Sequence, residues 1–576
     1  MSAAIMDFIK TEKSKGLATV QSDTGTYSLK SSGVYFSGFG KDGQALPEKR
    51  ICSPLKVLGE TRNQQAQDWG RLLEWQDNDR NIHRWAMPMH LLAGDGVDVA
   101  RELLKRGLVI APAKSKKVLE YIQSCDSISR MTCTDKTGWH GGAFVLPEKV
   151  YGEDAHTWIY QQDGGAELAT AQLGSLEDWR SNVASLARGN SRLLFAISCA
   201  FAGALVYPAG LESGGFHLHG GSSSGKTTAQ IVAASVWGSP DTYKRSWRAT
   251  SNGLEGVASQ HNDGLLILDE MREISGKDAG ETAYMLGNGQ GKTRSDRNGG
   301  ARLAKTWRLL FLSSGEVTLS EILKSEGKRV YAGQEIRIAD IPADAGAGMG
   351  LLEHLHSLTT PAQFADHLRY VCSRYYGAAG AAWLEAITKD HKQLWNTLPQ
   401  QINTFVETVA PNASGQAHRV ARRFGLVAIA GELATLYGIT GWAQGEATEA
   451  AERCFKDWLT NFGEGHRETK QILETVQAFI ERNGAKFVNL SLAQPLPVPD
   501  QVGYYRPTEN ENGREYLILA TQFGRVCDGH SQKQAIEVLR AHGWLNAPDS
   551  QGKASISTRL PKVGKKRVYL LTIQED

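Results

Sequence analysis

The stretch HLHGGSSSGKTTAQIVA, His217 to Ala233, constrains this chain more than any other. Gly220 and the run Gly225-Lys226-Thr227 meet the G-x-x-x-x-G-K-[ST] spacing of a Walker A loop. FHLH before it alternates as a strand does, and TTAQIVAASVWG after it carries helical spacing as far as Gly238. A glycine-rich turn between strand and helix leaves backbone N–H groups uncovered at a helix N-terminus, where the dipole favours an anion. The expectation is a phosphate cradle in which Gly220, Gly221, Ser222, Ser223, Ser224, Gly225, Lys226, Thr227 and Thr228 hold ATP. Lys226 then neutralises the β and γ phosphates, and Thr227 offers its hydroxyl to Mg2+. The alternative reading is a glycine-rich surface turn with an exposed lysine.

A second motif follows in GLLILDE, an apolar strand that ends in Asp269 and Glu270, the Walker B pattern. Asp269 is expected to hold Mg2+ through water and Glu270 to orient and polarise an attacking water. Two acids at a strand end are also common as a solvated terminus, so the first motif gives the second its weight. The strand WRLLFLSS ends in Ser313 and Ser314, where a hydroxyl can report on the γ-phosphate; Ser313 is the first choice and Ser314 the second. In GKRVYAGQEIRIADIP, Lys328, Arg329 and Arg337 lie at a sheet edge, and Arg337 is expected to complete a neighbouring subunit's site, a surface salt bridge being the alternative. Arg422 and Arg423 in HRVARRFG suit either that role or a solvated helix face.

The chain has 576 residues, which suggests about three or four domains. From about Ser31, short alternating segments such as WGRLLEWQ and IHRWAMP, joined by DNDRN, read as a hairpin in a small α+β region that also holds the helices ARELLKRGLVI and KSKKVLEYIQS. From Glu177 to Ala343, strand runs alternate with helical segments, the pattern of a parallel α/β sheet. The spacer AGAGMG leads into a helical region, where Thr360, Pro361 and Gln363 mark a helix start. After QPLPVPD, the helix SQKQAIEVLRAHGWL and the basic strand PKVGKKRVYLLT suggest a winged-helix module with Lys562, Lys565, Lys566 and Arg567 in its wing, an exposed basic tail being the alternative. The expected boundaries are an extension over 1–30, an α+β domain over 31–176, an ATPase core over 177–344, a helical lid over 345–465 and the terminal module over 466–576.

Net charge is +2, so affinity for nucleic acid has to come from local patches. Seven scattered cysteines without a CxxC pair argue against a disulfide framework or a structural zinc, and a cytoplasmic setting is expected. The N-terminus MSAAIMDFIKTEKSKG reads as a short amphipathic helix, not a signal peptide. The run LLFAISCAFAGALVYP falls short of the ~20 residues a membrane span needs, so it reads as a buried helix capped by Asn190, and no membrane partner is expected. Tryptophans 69, 75, 85 and 139 read as core residues before base-stacking ones, and His217 and His219 share a buried strand face without further metal ligands.

Between the acids and the next strand, GNGQGKTRSDRNGGARLAKTWR places Lys292, Arg294, Arg297, Arg302, Lys305 and Arg308 against the single acid Asp296. Its glycines suit a protruding hairpin able to grip a nucleic-acid backbone, with Lys292, Arg294 and Arg297 as the DNA-binding candidates. A solvated basic loop is the bland alternative.

The segments GWHGGAFVLP, FHLHGGSSSGKTTA, HNDGLLILDE, YMLGNGQGKTR, WRLLFLSSGE and VYAGQEIRIADIPADAG, joined by RRFGLVAIAGELATLYGITGW, together resemble domain-of-unknown-function family 927 of bacterial phages, plasmids and integrating elements, from about Ser31 to Gly465. The resemblance implies an AAA+-like P-loop core related to superfamily III and MCM-like helicases, acting on single-stranded or forked DNA as a homo-oligomer, a hexameric ring being expected. Such proteins often sit near or are fused to a primase. The first thirty residues are too few to hold one, so a separate primase partner is expected. An ATP-driven switch or remodeller of protein partners is the alternative from a different class.

Overall fold

Parallel strands cannot be joined by tight turns, so each must be followed by a crossover, and all their C-terminal ends emerge on one edge of the sheet. A computed structural model describes residues 19–126, 129–161, 169–274, 276–295, 301–302, 304–327, 332–411, 415–462, 467–492, 498–508, 513–545, 553–560 and 563–574. The N-terminal segment read as an amphipathic helix, and the positions Arg297, Lys328, Arg329 and Lys562, lie outside the described residues. The chain divides into two compact units, 1–458 and 459–576.

The larger unit contains the expected parallel sheet. Its strands are β1 (Gly214–His219), β2 (Arg245–Ser246), β3 (Gly264–Asp269), β4 (Leu309–Gly315) and β5 (Ile338–Pro342), in the order β2-β3-β4-β1-β5 and parallel throughout. Leu265 to Leu268 and Leu309 to Leu312 are buried without alternation, as a sheet covered on both faces requires. One covering element is α1 (Ser191–Ala202), every residue of which is buried, so the apolar run is a core helix as expected. Asn190 does not cap it. Its side chain instead accepts from the backbone N–H of Glu353 and His354, and the Glu353 carboxylate takes the N–H of Ser191 at 2.6 Å. A distant acid thus supplies the charge that a helix N-terminus favours. Among the described residues, no helix is long and apolar enough to cross a membrane.

Before the parallel sheet lie a four-stranded antiparallel sheet and a five-stranded mixed one. The hairpin of WGRLLEWQ and IHRWAMP is present as Gly70–Gln76 paired with Ile82–Pro88. Asp77 in its turn accepts from the N–H of Asp79 and of Asn81, the local bonding that makes aspartate a turn former. Trp75, Trp85 and Trp139 are core residues as expected, whereas Trp69 is half-buried between the guanidinium groups of Arg62 and Arg130. Further on, Thr360 caps Pro361–Cys372 as read, its hydroxyl accepting from the N–H of Gln363. The smaller unit holds a five-stranded sheet with Ile556–Leu560 and Gly564–Gln574 as an antiparallel edge pair, preceded by the helix Gln532–Ala541.

Two histidines are buried in the larger unit in their neutral form. His217 on β1 donates from Nε2 to the Val317 carbonyl at 3.0 Å and accepts at Nδ1 from the Ser313 hydroxyl at 2.8 Å, and burial holds it down to about 3. His261 donates from Nδ1 to the Val257 carbonyl, and burial holds it down to about 4. Both ionise near 6.5 once unfolded, so below that pH the unfolded chain takes up more protons than the folded one. Stability is therefore expected to fall as pH drops below about 6.5, by up to about 1.4 kcal/mol per pH unit for each histidine. Calorimetric melting from about pH 7.5 to about pH 5 checks this, and an unchanged melting temperature overturns it.

Candidate active site

The loop Gly220–Gly225 leaves the C-terminal end of β1 and enters α2 (Lys226–Ala234) directly. Gly220 and Gly225 have φ of +153° and +89°, and a Cβ on Gly225 would lie 2.2 Å from Leu351 Cδ2. The second glycine is thus demanded twice, by backbone and by space. Gly221, Ser222, Ser223 and Thr227 are exposed around the turn, while Thr228 is buried against the core. Lys226 is 8 % exposed, and its ammonium donates to the carbonyls of Gly220 and Gly221, each at 2.8 Å, and to Ser224 Oγ. It is not the exposed lysine of a surface turn.

Asp269 ends β3, two strands away, and β4 runs between them. Leu268 faces Ser313 in the β3–β4 ladder, so Asp269 comes level with Ser314. The Ser314 hydroxyl donates to Asp269 Oδ1 at 2.6 Å and accepts from the N–H of Glu270 at 3.2 Å. Lys244 Nζ lies 2.5 Å from Asp269 Oδ2. Glu270 is held in the left-handed region at φ 55°, and its Oε1 is buried without a protein hydrogen-bond partner. A strained acid with an unsatisfied buried oxygen at the end of a sheet is the kind of feature found where a ligand or water is to be received.

Ser313 does not join this group. Its hydroxyl is fully buried, accepting from Trp247 Nε1 at 2.9 Å and bonded to His217. Side chains alternate across a strand, so one of two adjacent serines must face the core and the other the acids. The expectation for Ser313 is therefore corrected, and Ser314 takes its place at the site.

The remaining candidates lie at the other end of the sheet. Arg337 precedes β5, level with the start of β1, about 20 Å along the strands from the loop. It cannot reach the site of its own chain. Its Nε donates to Asn288 at 2.8 Å, and its guanidinium stacks over Tyr284. Arg423 is buried and donates to the Ile336 carbonyl at 3.1 Å, with burial lowering its pKa to about 10, so it is no part of a solvated helix face.

The basic segment forms a hairpin rooted where β4 begins. Trp307 donates to Gly289, Gly291 to Lys305, and Arg294–Ser295 pairs with Ala301–Arg302. Its tip, with Arg297, is outside the described residues. Lys292 is exposed and paired with Glu281 at 2.6 Å. Arg308, counted among the basic residues of this segment, is tied to the buried Asp263 at 3.3 Å and stacked over Tyr207.

One contributor was missed by sequence reasoning. The spacer AGAGMG is no mere linker, because Leu351 donates its N–H to the Ser224 carbonyl at 2.9 Å and packs on Gly225. Three left-handed glycines at 346, 348 and 350 were the available signal that this backbone turns tightly against something.

The two serines should separate in stability. Ser313→Ala leaves Trp247 Nε1 and His217 Nδ1 unpaired in the core and is expected to cost about 1–3 kcal/mol. Ser314 is also buried, but its acceptor Asp269 is 25% exposed and can be rehydrated, so Ser314→Ala is expected to cost less, about 1 kcal/mol. Urea unfolding measures both, and equal losses overturn the assignment.

Residues 27–306 match the family described as Domain of unknown function (DUF927), which takes in the loop, the acids and the hairpin and stops before β4, short of the Gly465 reached by the resemblance read from the sequence. A comparison with curated proteins gives no match. Among solved structures, the one described as "SCCmec type IV Cch - active helicase" superposes with a TM-score of 0.68 at 17% identity, covering 95% of this chain and 97% of that one, a likeness of fold. A structure described as "The A form apo structure of NrS-1 C terminal region-CTR" gives a TM-score of 0.26 at 11% identity over 64% of this chain and 84% of that one, too low to bear on the fold. Residues 27–306 of this chain thus match the DUF927 family model, within a mixed α/β fold whose parallel sheet has a helicase as a structural neighbour.

Proposed function

We propose that this chain is an ATP-dependent DNA helicase or translocase, working as a homo-oligomeric ring, a hexamer, in the replication of a bacterial mobile element. One observation carries the reading: a lysine-bearing glycine loop, a strand-end acid pair and a serine bridging to them converge on one edge of a parallel sheet. The reading makes the segment an AAA+-like P-loop core, with Lys226 and Thr227 on the phosphates and Mg2+ of ATP. The donor set fits that ion. Thr227 and Asp269 offer only two donor side chains, too few for a cage but suited to Mg2+, which keeps several waters and takes phosphate oxygens. Among the described residues, no group of three or more His, Cys, Asp or Glu is placed to hold a metal.

Mg2+ would supply charge neutralisation between the phosphates, and the chain's own residues would do the rest. Lys226, freed from the loop carbonyls, would hold phosphate charge; Ser314 fixes Asp269 and the backbone of Glu270; Glu270 Oε1 would accept a proton from the attacking water. Arg337 is assigned to act on a neighbouring subunit's site, which agrees with its distance from its own. Lys292, Arg294 and Arg297 are assigned to DNA. The hairpin's root at the start of β4 supports this, since the strand that carries Ser314 at one end carries the hairpin at the other.

The finer organisation belongs to the same proposal: an α+β domain over 31–176, a core over 177–344, a helical lid over 345–465 and a winged-helix module over 466–576. The helix Gln532–Ala541 and the strand pair bearing Arg559, Lys565, Lys566 and Arg567 support the last. The neighbour described as an active helicase of SCCmec supports the mobile-element setting, and a separate primase would supply primers. The cytoplasm is the proposed compartment.

Single-stranded DNA is expected to raise ATP turnover, and Lys292→Ala with Arg294→Ala to abolish that stimulation while basal turnover survives. Glu270→Gln is expected to lower kcat by about 100-fold or more with ATP binding retained. Steady-state hydrolysis with and without forked DNA reads all three. Turnover indifferent to DNA would sink the helicase reading, and full hydrolysis in Glu270→Gln would sink the catalytic one.

A further inference from the structure

Asp269 has no free oxygen. Oδ1 takes the Ser314 hydroxyl at 2.6 Å and Oδ2 takes the Lys244 ammonium at 2.5 Å. Lys244 is not a passing surface lysine. It closes the short helix Pro240–Tyr243 and immediately precedes β2, whose Arg245 and Ser246 are laddered to Leu268 and Asp269, so the backbone holds it beside the acid. The side chains of Lys244 and Asp269 are 24% and 25% exposed, enough screened from water for the pair to be stronger than an open surface bridge. The neighbouring cation behaves alike: Lys226 is folded onto the loop's own carbonyls. Two ammonium groups and two carboxylates thus stand at the sheet edge with their formal charges cancelled.

We propose that Lys244 is a tethered cation that occupies Oδ2 of Asp269, the oxygen that Ser314 leaves open, and releases it only when phosphate groups compete for the lysine. Divalent-metal binding is then conditional on nucleotide. An ammonium on a flexible four-carbon stem is suited to such an exchange, because it moves between acceptors as a point charge without a fixed bonding geometry. This inference rests on the nucleotide reading of the site and adds to it a positioning residue. Without Lys244, Asp269 Oδ2 is open to a divalent ion at all times, and the order of binding is lost.

Mn2+ alone, followed by electron paramagnetic resonance on the full chain without nucleotide, tests this. Lys244→Met is expected to bind Mn2+ at least roughly tenfold more tightly than the wild type, and adding Asp269→Asn is expected to remove the gain. Lys244→Arg, which keeps a cation, is expected to behave as the wild type. Equal Mn2+ affinity in wild type and Lys244→Met overturns the proposal. Binding of a fluorescent ATP analogue to Lys226→Ala separates the two levels. If that variant binds the analogue as tightly as the wild type, the nucleotide reading itself falls; if it loses binding while Lys244→Met leaves Mn2+ affinity unchanged, only the role of Lys244 falls.

Discussion

The position of β4 between β1 and β3 is the constraint on which the site depends. Because all three run in the same direction, the loop after β1, the acids at the end of β3 and Ser314 of β4 must come to one edge. A sheet in which β1 and β3 were direct neighbours would bring the loop and the acids together but leave no strand between them to carry a bridging hydroxyl. The intervening strand supplies that group and also locks the layer beneath it. The chain of bonds from Trp247 through Ser313 and His217 to Val317 ties β1, β4 and the segment after β2 into one unit.

The glycine loop after β1 is gripped from behind as well. After β5 the chain doubles back over it, Leu351 filling the space that Gly225 leaves and Gly350 lying against Ser224. This return is fixed by the buried Arg192, which donates to Pro342 and Asp344 carbonyls and pairs with Asp457 at 2.5 Å, and by Glu353, which holds Ser191 on one side and Arg453 on the other. Removing Asp457 would leave the buried Arg192 guanidinium without its counter-charge, so that pair is costly to break from the acidic side.

Much of this was legible because it rests on local pattern. The strand, loop and helix around Lys226, the apolar strand into Asp269, the hairpin turn at Asp77 and the cap at Thr360 each follow from spacing that the backbone itself imposes. What was not legible depends on parity or on distant partners. Ser313 and Ser314 are indistinguishable until the ladder fixes which faces the acids. Arg308 and Arg423 look like the other basic residues, and only the buried Asp263 and the Ile336 carbonyl reveal them as structural. Asn190 resembles a helix cap, but Glu353, more than 160 positions away in the chain, has taken that role. Lys244 carries no motif at all, and its contact with Asp269 comes from the pairing of β2 with β3.

β4 has one further property. Its seven residues are buried from end to end and laddered on both sides, a span of about 23 Å at 3.3 Å per residue. A strand so confined neither stretches nor bends locally, since either would break bonds to two neighbours at once. One end bears the hydroxyl that touches Asp269 and Glu270, and the other passes through Arg308 and Trp307 into the root of the basic hairpin. The two ends are therefore joined by one continuously paired strand, which fixes the separation between the acids and the root of the basic hairpin.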